Sequence, residues 1–208
     1  MRGLPCGPLE SNGDIGDTSA VSRTLGINDT RRMAQTADTH SFDPMTFRDV
    51  MGRFATGVAV VSFLRDGAPA GMTVNAFMSV SLTPPLVTVS VRRASSFNDH
   101  VGLGARYGVN ILTEDQQHLG GQFANQTARD PAVVFSMEHG TPLLEKGLAH
   151  IIARVVDIFP AGDHLLYLGE VERMFRGAEA KPLIFFTGRY KQIAAHEPSM
   201  QWTAPDGW

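Results

Sequence analysis

The sequence predicts a mainly β fold: an antiparallel barrel, closed or partly closed, with a few short helices. Six or seven runs of strand length recur in about 165 residues, and only three short stretches have helical spacing. A doubly wound parallel sheet would need a helix between most of its strands, so this spacing favours the barrel. The length of 208 residues and the 43% hydrophobic content suit one globular domain.

The folded part is expected to begin after a polar leader. Residues 1–42 are rich in Gly, Ser, Thr, Asn and Asp and lack periodicity, which is typical of a disordered N-terminal extension. Met33 starts a further stretch within it, and we hypothesise that residues 1–32 come from an overlong translation start, which mass spectrometry of natively expressed protein would test. The domain is expected over residues 43–195, with a C-terminal tail over residues 196–208.

The first element is predicted to be an amphipathic helix. Asp43 can cap it, and Pro44 suits its first position. Apolar residues then recur at three- and four-residue spacing at Phe47, Val50, Met51 and Phe54. Gly57 is expected to end this helix, so one apolar helical face precedes the first strand.

The remaining elements are predicted to be mostly strands. The Asp66-Gly67 pair indicates a tight hairpin between the first two of them. Strands are expected at residues 57–64, 70–73, 86–91, 107–112, 149–159, 164–173 and 183–186. Short helices are expected at residues 96–103 and 116–124, and residues 127–141 are expected to be irregular.

The segment from Met72 to Thr83 alternates almost strictly between apolar and polar side chains, and only Phe77 breaks the pattern. One straight strand would span about 40 Å at roughly 3.3 Å per residue, so a bend is predicted near residues 75–77. The two shorter elements are expected to share one polar side, backed by a hydrophobic face. Uncharged hydroxyls and an amide suit the polar edge of a planar heterocycle, but a strand with one face in water has the same pattern.

Composition argues against several classes of function. A net charge of -3 and a pI near 6.1 disfavour nucleic acid as a partner. The single cysteine, Cys6, and the dispersed histidines offer neither a disulfide framework nor metal-ligand spacing, so no metal site is predicted. The chain has no run of about 18 apolar residues and no signal-peptide pattern, which predicts a cytoplasmic protein without a membrane segment.

One glycine-rich stretch is similar to a dinucleotide-binding fingerprint but does not match it. The stretch Gly102–Gly108 has its last glycine one place late, and it follows a helix pattern and precedes a strand, the reverse of the required order. The GxSxG, P-loop and HExxH patterns are also missing from the sequence. The sequence therefore lacks the motifs that would indicate a hydrolase or phosphoryl-transfer function.

The ordered motifs of the chain resemble those of the short-chain flavin reductases, the reductase components of two-component flavin-dependent monooxygenases. The likeness covers about residues 43–193 and rests on GVAVVSFL, AGMTVNAFMSVSLTPPLVTVSV, YGVNIL, TPLLEKGLAHI and GDHLLYLGEV. It implies an FMN-binding split β-barrel of antiparallel Greek-key type, a homodimer, bound FMN or FAD, and hydride transfer from NADH or NADPH to the flavin. It also implies a monooxygenase partner, reached by diffusing reduced flavin or by transient contact.

The same resemblance implies which residues hold the flavin. By position they are Thr73, Asn75 and Ala76 at the ribityl and phosphate region, and Ser79, Ser81 and Leu82 at the ring. Many relatives have serine where this chain has Ala76, so only a backbone contact is expected there. Phe123 and Tyr190 are interpreted most simply as core residues, although relatives often hold the helix of Phe123 near the flavin.

The stretch after residues 86–91 has two possible roles. Ser95 or Ser96 can cap the next helix, with Asn98 or Asp99 reaching back, and capping alone would explain both serines. A helix N-terminus beside an arginine also suits a phosphate, and the family position points the same way. The candidates for phosphate contact are Arg93 and Ser95, followed by Ser96 and Arg92.

Gly162, Asp163 and His164 lie between two predicted strands, where a hairpin turn alone would explain the Gly-Asp pair. They match the family's GDH motif, which implies that all three contact the nicotinamide nucleotide and that His164 lies at the face of the flavin as the catalytic residue. His164 need not act as an acid or base, because hydride passes directly between the stacked rings.

Two functions stay open on the sequence alone. The first is NAD(P)H:flavin oxidoreductase activity, and the second is a flavin-binding or electron-carrying module that does not oxidise nicotinamide. The GDH motif favours the first. The choices between FMN and FAD and between NADH and NADPH stay open, because no ribose-binding residue can be located without a Rossmann motif.

Overall fold

The protein is described here by a computed structural model, which describes residues 43–125 and 133–194. The predicted N-terminal extension, residues 1–42, and the predicted tail, residues 196–208, lie outside the described residues. The limits of the domain therefore stay a prediction. In the two described ranges, no helix is both long and apolar enough to cross a membrane.

Strands dominate the described part of the chain, as predicted. Its two α-helices are α1 (Pro44–Met51) and α2 (Gln117–Asn125). Its strands are β1 (Thr56–Gly57), β2 (Ala59–Arg65), β3 (Ala68–Val74), β4 (Phe77–Leu82), β5 (Pro85–Arg92), β6 (Arg106–Ile111), β7 (Phe135–Glu138), β8 (Thr141–Leu144), β9 (Ala149–Ala161), β10 (His164–Arg176), β11 (Ile184–Phe186) and β12 (Arg189–Lys191). Short 3-10 helices cover Ser96–Asp99 and Glu114–Gln116.

The main sheet has seven strands in the order β3-β2-β6-β9-β10-β5-β4, and all its pairings are antiparallel. Its two edge strands, β3 and β4, are consecutive in the chain and are separated only by Asn75 and Ala76. The strand ends Val74 and Phe77 are three residue steps apart and so lie within about 11 Å of each other, which brings the two edges together at one end. The sheet therefore curls into a barrel with an open seam between β3 and β4, and the predicted mainly β split-barrel fold is confirmed.

The hairpin between β2 and β3 forms as predicted. Asp66 and Gly67 have φ angles of 53° and 78°, the positive values that a tight hairpin with right-handed strand twist requires. The hairpin between β9 and β10 likewise turns at Gly162, whose φ is 60°.

The predicted bend near residues 75–77 is present, but the prediction that the two elements share one polar side is wrong. Val74 and Phe77 both pack against the barrel core, although they are three positions apart. An odd separation reverses the alternation, so the inward parity changes across the break. In β4 the apolar residues Met78, Val80 and Leu82 are consequently exposed, whereas Ser79 and Ser81 are half-buried.

Three further sequence predictions need correction. Helix α1 ends at Met51 rather than Gly57, and its apolar stripe is exposed, with Phe47 at 59% and Val50 at 61%. The helix expected at residues 96–103 is only a four-residue 3-10 helix, after which the chain turns and Gly104 takes a φ of 79°. The irregular stretch expected up to residue 141 instead contains the β7–β8 hairpin, whose turn at His139 and Gly140 has positive φ angles.

The barrel core is built on aromatic edge-to-face contacts. The Phe97 ring lies 5.0 Å from the rings of both Phe63 and Tyr167, at interplanar angles of 83° and 79°. Glycine allows two close approaches in this core, because a Cβ at Gly108 would overlap Ser62 and one at Gly169 would overlap the Tyr107 hydroxyl. A second cluster packs α2 against the opposite face of β2, as predicted for Phe123.

Candidate functional site

A groove of about 540 Å³ lies where the seam of the barrel meets the β9–β10 turn. It is lined by residues from β3 and the break that follows it, from β5 and its following loop, from α2, and from the start of β10. These residues are Met72, Thr73, Val74, Asn75, Ala76, Ser90, Val91, Arg92, Ala94, Ser95, Phe123, Ala124 and His164. The groove thus gathers six of the residues named from the sequence: Thr73, Asn75, Ala76, Arg92, Ser95 and His164.

The break between β3 and β4 forms one wall of this groove. The Thr73 hydroxyl donates a hydrogen bond to the Gly120 carbonyl oxygen in α2 at 2.7 Å. Its only hydrogen is therefore engaged, and towards a ligand this hydroxyl can act only as an acceptor. The Ala76 carbonyl oxygen accepts from the Ser90 N–H at 3.0 Å, which pins the start of β4 to β5.

The loop after β5 forms another side of the groove and contacts β3, because the Ser95 hydroxyl lies 3.6 Å from Met72 Sδ. Ser95 caps the 3-10 helix, because its hydroxyl accepts from the Phe97 N–H at 3.3 Å. The predicted capping by a serine is confirmed, but Asn98 does not reach back to the cap N–H. Its side-chain amide donates instead to the carbonyl oxygens of Arg92 and Arg93, each at 2.9 Å.

The two arginines of this loop have different surroundings. Arg92 is exposed, lines the groove, and lies directly opposite His164 in the β5–β10 pairing. The Arg93 Nε donates to the Gly162 carbonyl oxygen at 2.8 Å, and its N–H donates to the Asp163 carbonyl oxygen at 3.0 Å. Arg93 is absent from the lining residues and instead fastens the loop to the β9–β10 turn.

His164 opens β10 at the mouth of the groove, with its side chain 34% exposed. Its Nδ1 lies 2.8 Å from Asp163 Oδ1, and the Asp163 side chain is 92% exposed. The hydrogen bond with His164 and that ring's charge lower the pKa of Asp163 below its ordinary range. The Asp163 carboxylate therefore orients the ring from outside the groove, and Nε2 is the nitrogen left for a ligand.

Several predicted residues lie outside the groove. Ser79, Ser81 and Leu82 belong to β4 beyond the break, and none of them is a lining residue. Gly162 and Asp163 form the turn next to it, and Ser96 is the first, half-buried residue of the 3-10 helix. For all of these, contact with a ligand stays a prediction.

Some lining residues were not singled out from the sequence. Ser90 was not singled out at all, and Arg92 was named only as a lesser candidate for phosphate contact. Both reach the groove because β5 lies between β4 and β10, and this register has no signal in the sequence. Phe123, interpreted as a core residue, is 7% exposed, packs in the second cluster and also lines the groove. Only the family position of its helix pointed to this second role.

The groove fits a flavin nucleotide chemically. Its walls offer hydroxyl and amide groups from Thr73, Asn75 and Ser95 beside the apolar surfaces of Met72 and Phe123. Arg92 supplies a positive charge at the loop, and no lining residue carries a carboxylate that would repel a phosphate. A planar, partly polar ring with an anionic tail suits such a donor set. Within residues 43–125 and 133–194, no group of three or more His, Cys, Asp or Glu residues could hold a metal ion.

A split antiparallel barrel whose groove combines uncharged polar groups with one cationic loop suits a nucleotide cofactor, which places the chain among proteins that bind such a cofactor. Comparison with known proteins narrows that class. The family described as "Flavin reductase like domain" matches residues 51–194. The chain therefore belongs to the flavin reductases, and the resemblance inferred from its motifs is confirmed.

Individual relatives agree with this assignment. An NADH-dependent flavin reductase of a Rhodococcus species is 38% identical over 153 residues, covering 72% of this chain and 86% of the relative. The reductase subunit HsaB of a flavin-dependent monooxygenase of Mycobacterium tuberculosis is 33% identical over 170 residues, covering 80% and 88% of the two chains. The solved structure of the Streptomyces globisporus NADH:FAD oxidoreductase SgcE6, in complex with NAD and FAD fragments, is similar with a TM-score of 0.70 and 31% identity, covering 75% of this chain and 96% of that one.

Proposed function

We propose that this chain reduces FMN or FAD with hydride from a nicotinamide nucleotide and supplies the reduced flavin to a separate monooxygenase. The observation that carries the proposal is the groove in which Thr73, Asn75 and Ala76 face His164 and Arg92. Family membership supplies the reaction class, and the groove supplies a binding place with matching chemistry. The flavin, when bound, supplies the hydride-accepting ring.

The residues of the chain bind and orient the two reactants. Asn75 and the Thr73 hydroxyl oxygen bind the polar part of the flavin, and Arg92 with Ser95 binds its phosphate. His164, held by Asp163, contacts the nicotinamide nucleotide through Nε2 and keeps the nicotinamide ring against the flavin. Direct hydride transfer needs near-contact stacking of the rings, so the contribution of the protein is placement rather than proton transfer.

NADH is the proposed hydride donor. The relatives from Rhodococcus and Streptomyces globisporus are named for NADH, and one similar structure holds NAD and FAD fragments. An NADPH enzyme needs additional cationic contacts for the 2′-phosphate. In the groove, Arg92 is the lining arginine, and it is already assigned to the flavin phosphate.

The proposed physiological partner is a flavin-dependent monooxygenase, as for the reductase subunit from Mycobacterium tuberculosis and the reductase component of a 4-nitrophenol monooxygenase from Rhodococcus opacus. Reduced flavin reaches it by diffusion or during transient contact. We also propose a cytoplasmic location, because the reaction consumes the cell's own NADH.

The chain is further proposed to act as a homodimer. In the strand register, Met78 of β4 and Leu168 of β10 lie on either side of Thr88, and Phe159 of β9 lies opposite Leu166 of β10. Residues opposite each other in a sheet share a face, so these four apolar side chains lie on one outer surface of the barrel. Met78 is 59% and Phe159 is 45% exposed. A contiguous exposed apolar surface is typical of a protein interface, and a second copy is the partner that the family implies.

An anaerobic turnover assay tests the function. Purified protein is mixed with NADH or NADPH and with FMN or FAD, and the loss of flavin absorbance is recorded. We expect bleaching that is fastest with NADH. Absence of turnover in all four combinations would refute the proposal, whereas flavin binding without nicotinamide oxidation would indicate an electron-carrying module.

A further inference from the structure

We propose that Asn98 is the positioning residue of the binding groove: its side chain sets the loop of Arg92, Arg93 and Ser95 against the β9–β10 turn. This inference rests on the proposed function, because it concerns how the same groove is held in its binding geometry. Asn98 itself is not among the lining residues. Its effect on a ligand must therefore pass through the loop that does line the groove.

Both polar atoms of the Asn98 side chain form hydrogen bonds. Both hydrogens of its amide nitrogen are donated at 2.9 Å, one to the Arg92 carbonyl oxygen and one to the Arg93 carbonyl oxygen. Its Oδ1 accepts from the Tyr167 hydroxyl at 2.9 Å. Two carbonyl oxygens can only accept, so the orientation of the amide is fixed by its partners.

The anchor of this arrangement is buried. Tyr167 is 1% exposed and packs edge-to-face against Phe97, with ring centroids 5.0 Å apart. Burial raises the pKa of its hydroxyl, aided by the charge of Asp99, so the hydroxyl stays protonated and keeps donating. Asn98 therefore transmits the rigidity of the core to an exposed loop.

The loop in turn fixes both sides of the groove mouth. The Arg93 side chain and N–H hold the carbonyl oxygens of Gly162 and Asp163, immediately before His164. Arg92 and Ser95 line the groove, and Arg92 lies opposite His164 in the β5–β10 strand register. The chain of contacts Tyr167–Asn98–Arg92/Arg93–Gly162 thus links the proposed phosphate-binding loop to the buried core and to the turn before His164.

The test compares variants that break this chain of contacts at different points. Asn98→Asp keeps the shape but replaces both donors by an oxygen that faces two carbonyl oxygens. Tyr167→Phe keeps the packed ring and removes only the hydroxyl that holds Asn98. Asn110→Ser is the matched control, because Asn110 also holds backbone groups through its amide, at the Val60 carbonyl oxygen and the Leu144 N–H, but does not line the groove.

Flavin affinity is measured by fluorescence quenching, and kcat, KM and thermal midpoint are measured in parallel. For Asn98→Asp we expect Kd for FMN and FAD to rise about 10- to 100-fold, with kcat at saturating flavin and NADH within about threefold of wild type. Tyr167→Phe changes Kd in the same direction by a smaller factor. Asn110→Ser lowers the thermal midpoint and leaves Kd unchanged.

An Asn98→Asp protein with a lowered thermal midpoint and an unchanged Kd would overturn the inference and leave the reductase function intact. If Asn98→Asp does not fold, the Kd of Tyr167→Phe decides, and a wild-type value overturns the inference. A wild-type protein that binds flavin without oxidising NADH or NADPH would instead end the proposed function. The binding comparison among the variants would then still test the role of Asn98.

Discussion

The Thr73 hydroxyl donates to the Gly120 carbonyl oxygen at 2.7 Å, and this hydrogen bond joins the groove wall on β3 to helix α2. Thr73→Val removes the bond but keeps the branched shape, whereas Thr73→Ser keeps the hydroxyl. We expect Thr73→Val to lower the free energy of unfolding by about 1 kcal/mol and to weaken flavin binding, and Thr73→Ser to retain most of both. Chemical denaturation and flavin titration check this, and equal behaviour of the two variants would contradict it.

His164→Ala removes the ring nitrogen proposed to contact the nicotinamide nucleotide. We expect kcat/KM for NADH to fall about 10- to 100-fold, while Kd for flavin stays within about threefold of the wild-type value. Stopped-flow reduction and flavin titration separate these effects. His118→Ala, at an exposed histidine outside the groove, is the control and should retain wild-type rates. A wild-type rate for His164→Ala would remove His164 from the mechanism.

His150 predicts a pH dependence of stability. Its Nδ1 lies 3.0 Å from Asn110 Oδ1, and burial lowers its pKa below the ordinary 6.5. The unfolded chain therefore takes up a proton near pH 6.5 while the folded protein resists it. The stabilising contribution is complete above pH 6.5 and is lost as the pH falls from there toward the folded-state pKa.

His150→Gln replaces the imidazole ring by an amide, which can still donate to Asn110 Oδ1 but cannot titrate. We expect the free energy of unfolding of wild type to drop more than that of His150→Gln between pH 8 and pH 5. Urea unfolding at several pH values measures the two curves. Parallel curves would show that His150 does not carry this dependence.

Tyr107 carries a buried hydroxyl without a hydrogen-bond partner, and burial raises its pKa. Removing an unsatisfied polar group costs little or stabilises, because its desolvation penalty disappears. We expect Tyr107→Phe to leave the free energy of unfolding unchanged or to raise it by about 1 kcal/mol. A loss of more than about 1 kcal/mol, measured by denaturation, would indicate a partner for this hydroxyl.

The outer apolar surface of Met78, Leu166, Leu168 and Phe159 predicts the oligomeric state. Met78→Glu and Phe159→Glu each introduce a charge that would have to be buried in a dimer. We expect wild type to run as a dimer in size-exclusion chromatography with light scattering, and both variants to shift toward monomer. Glu138→Gln, on the separate β7–β8 hairpin, should remain dimeric. A monomeric wild type would contradict the homodimer.

The sequence by itself determined most strands, the β2–β3 and β9–β10 turns, the break after β3 and the family. These features depend on alternation, on residues that accept positive φ, and on ordered motifs, all of which are local in the chain. It did not determine that β3 and β4 are opposite edges of one sheet, since strand order arises from pairings such as β5 with β10 that join distant residues.

The residues of the candidate site also divide into those that the sequence determined and those that the tertiary structure decided. Thr73, Asn75, Ala76, Ser95 and His164 were found from their motifs, and the tertiary structure brings them together. The assignment of Arg92 to the groove and of Arg93 to the turn required the register of β5 on β10, because Arg92 ends β5 opposite His164 and Arg93, the next residue, bonds to Gly162. A parity argument explains β4: the sequence determined its alternation, but only the inward packing of Phe77 decided which half of that alternation faces the core.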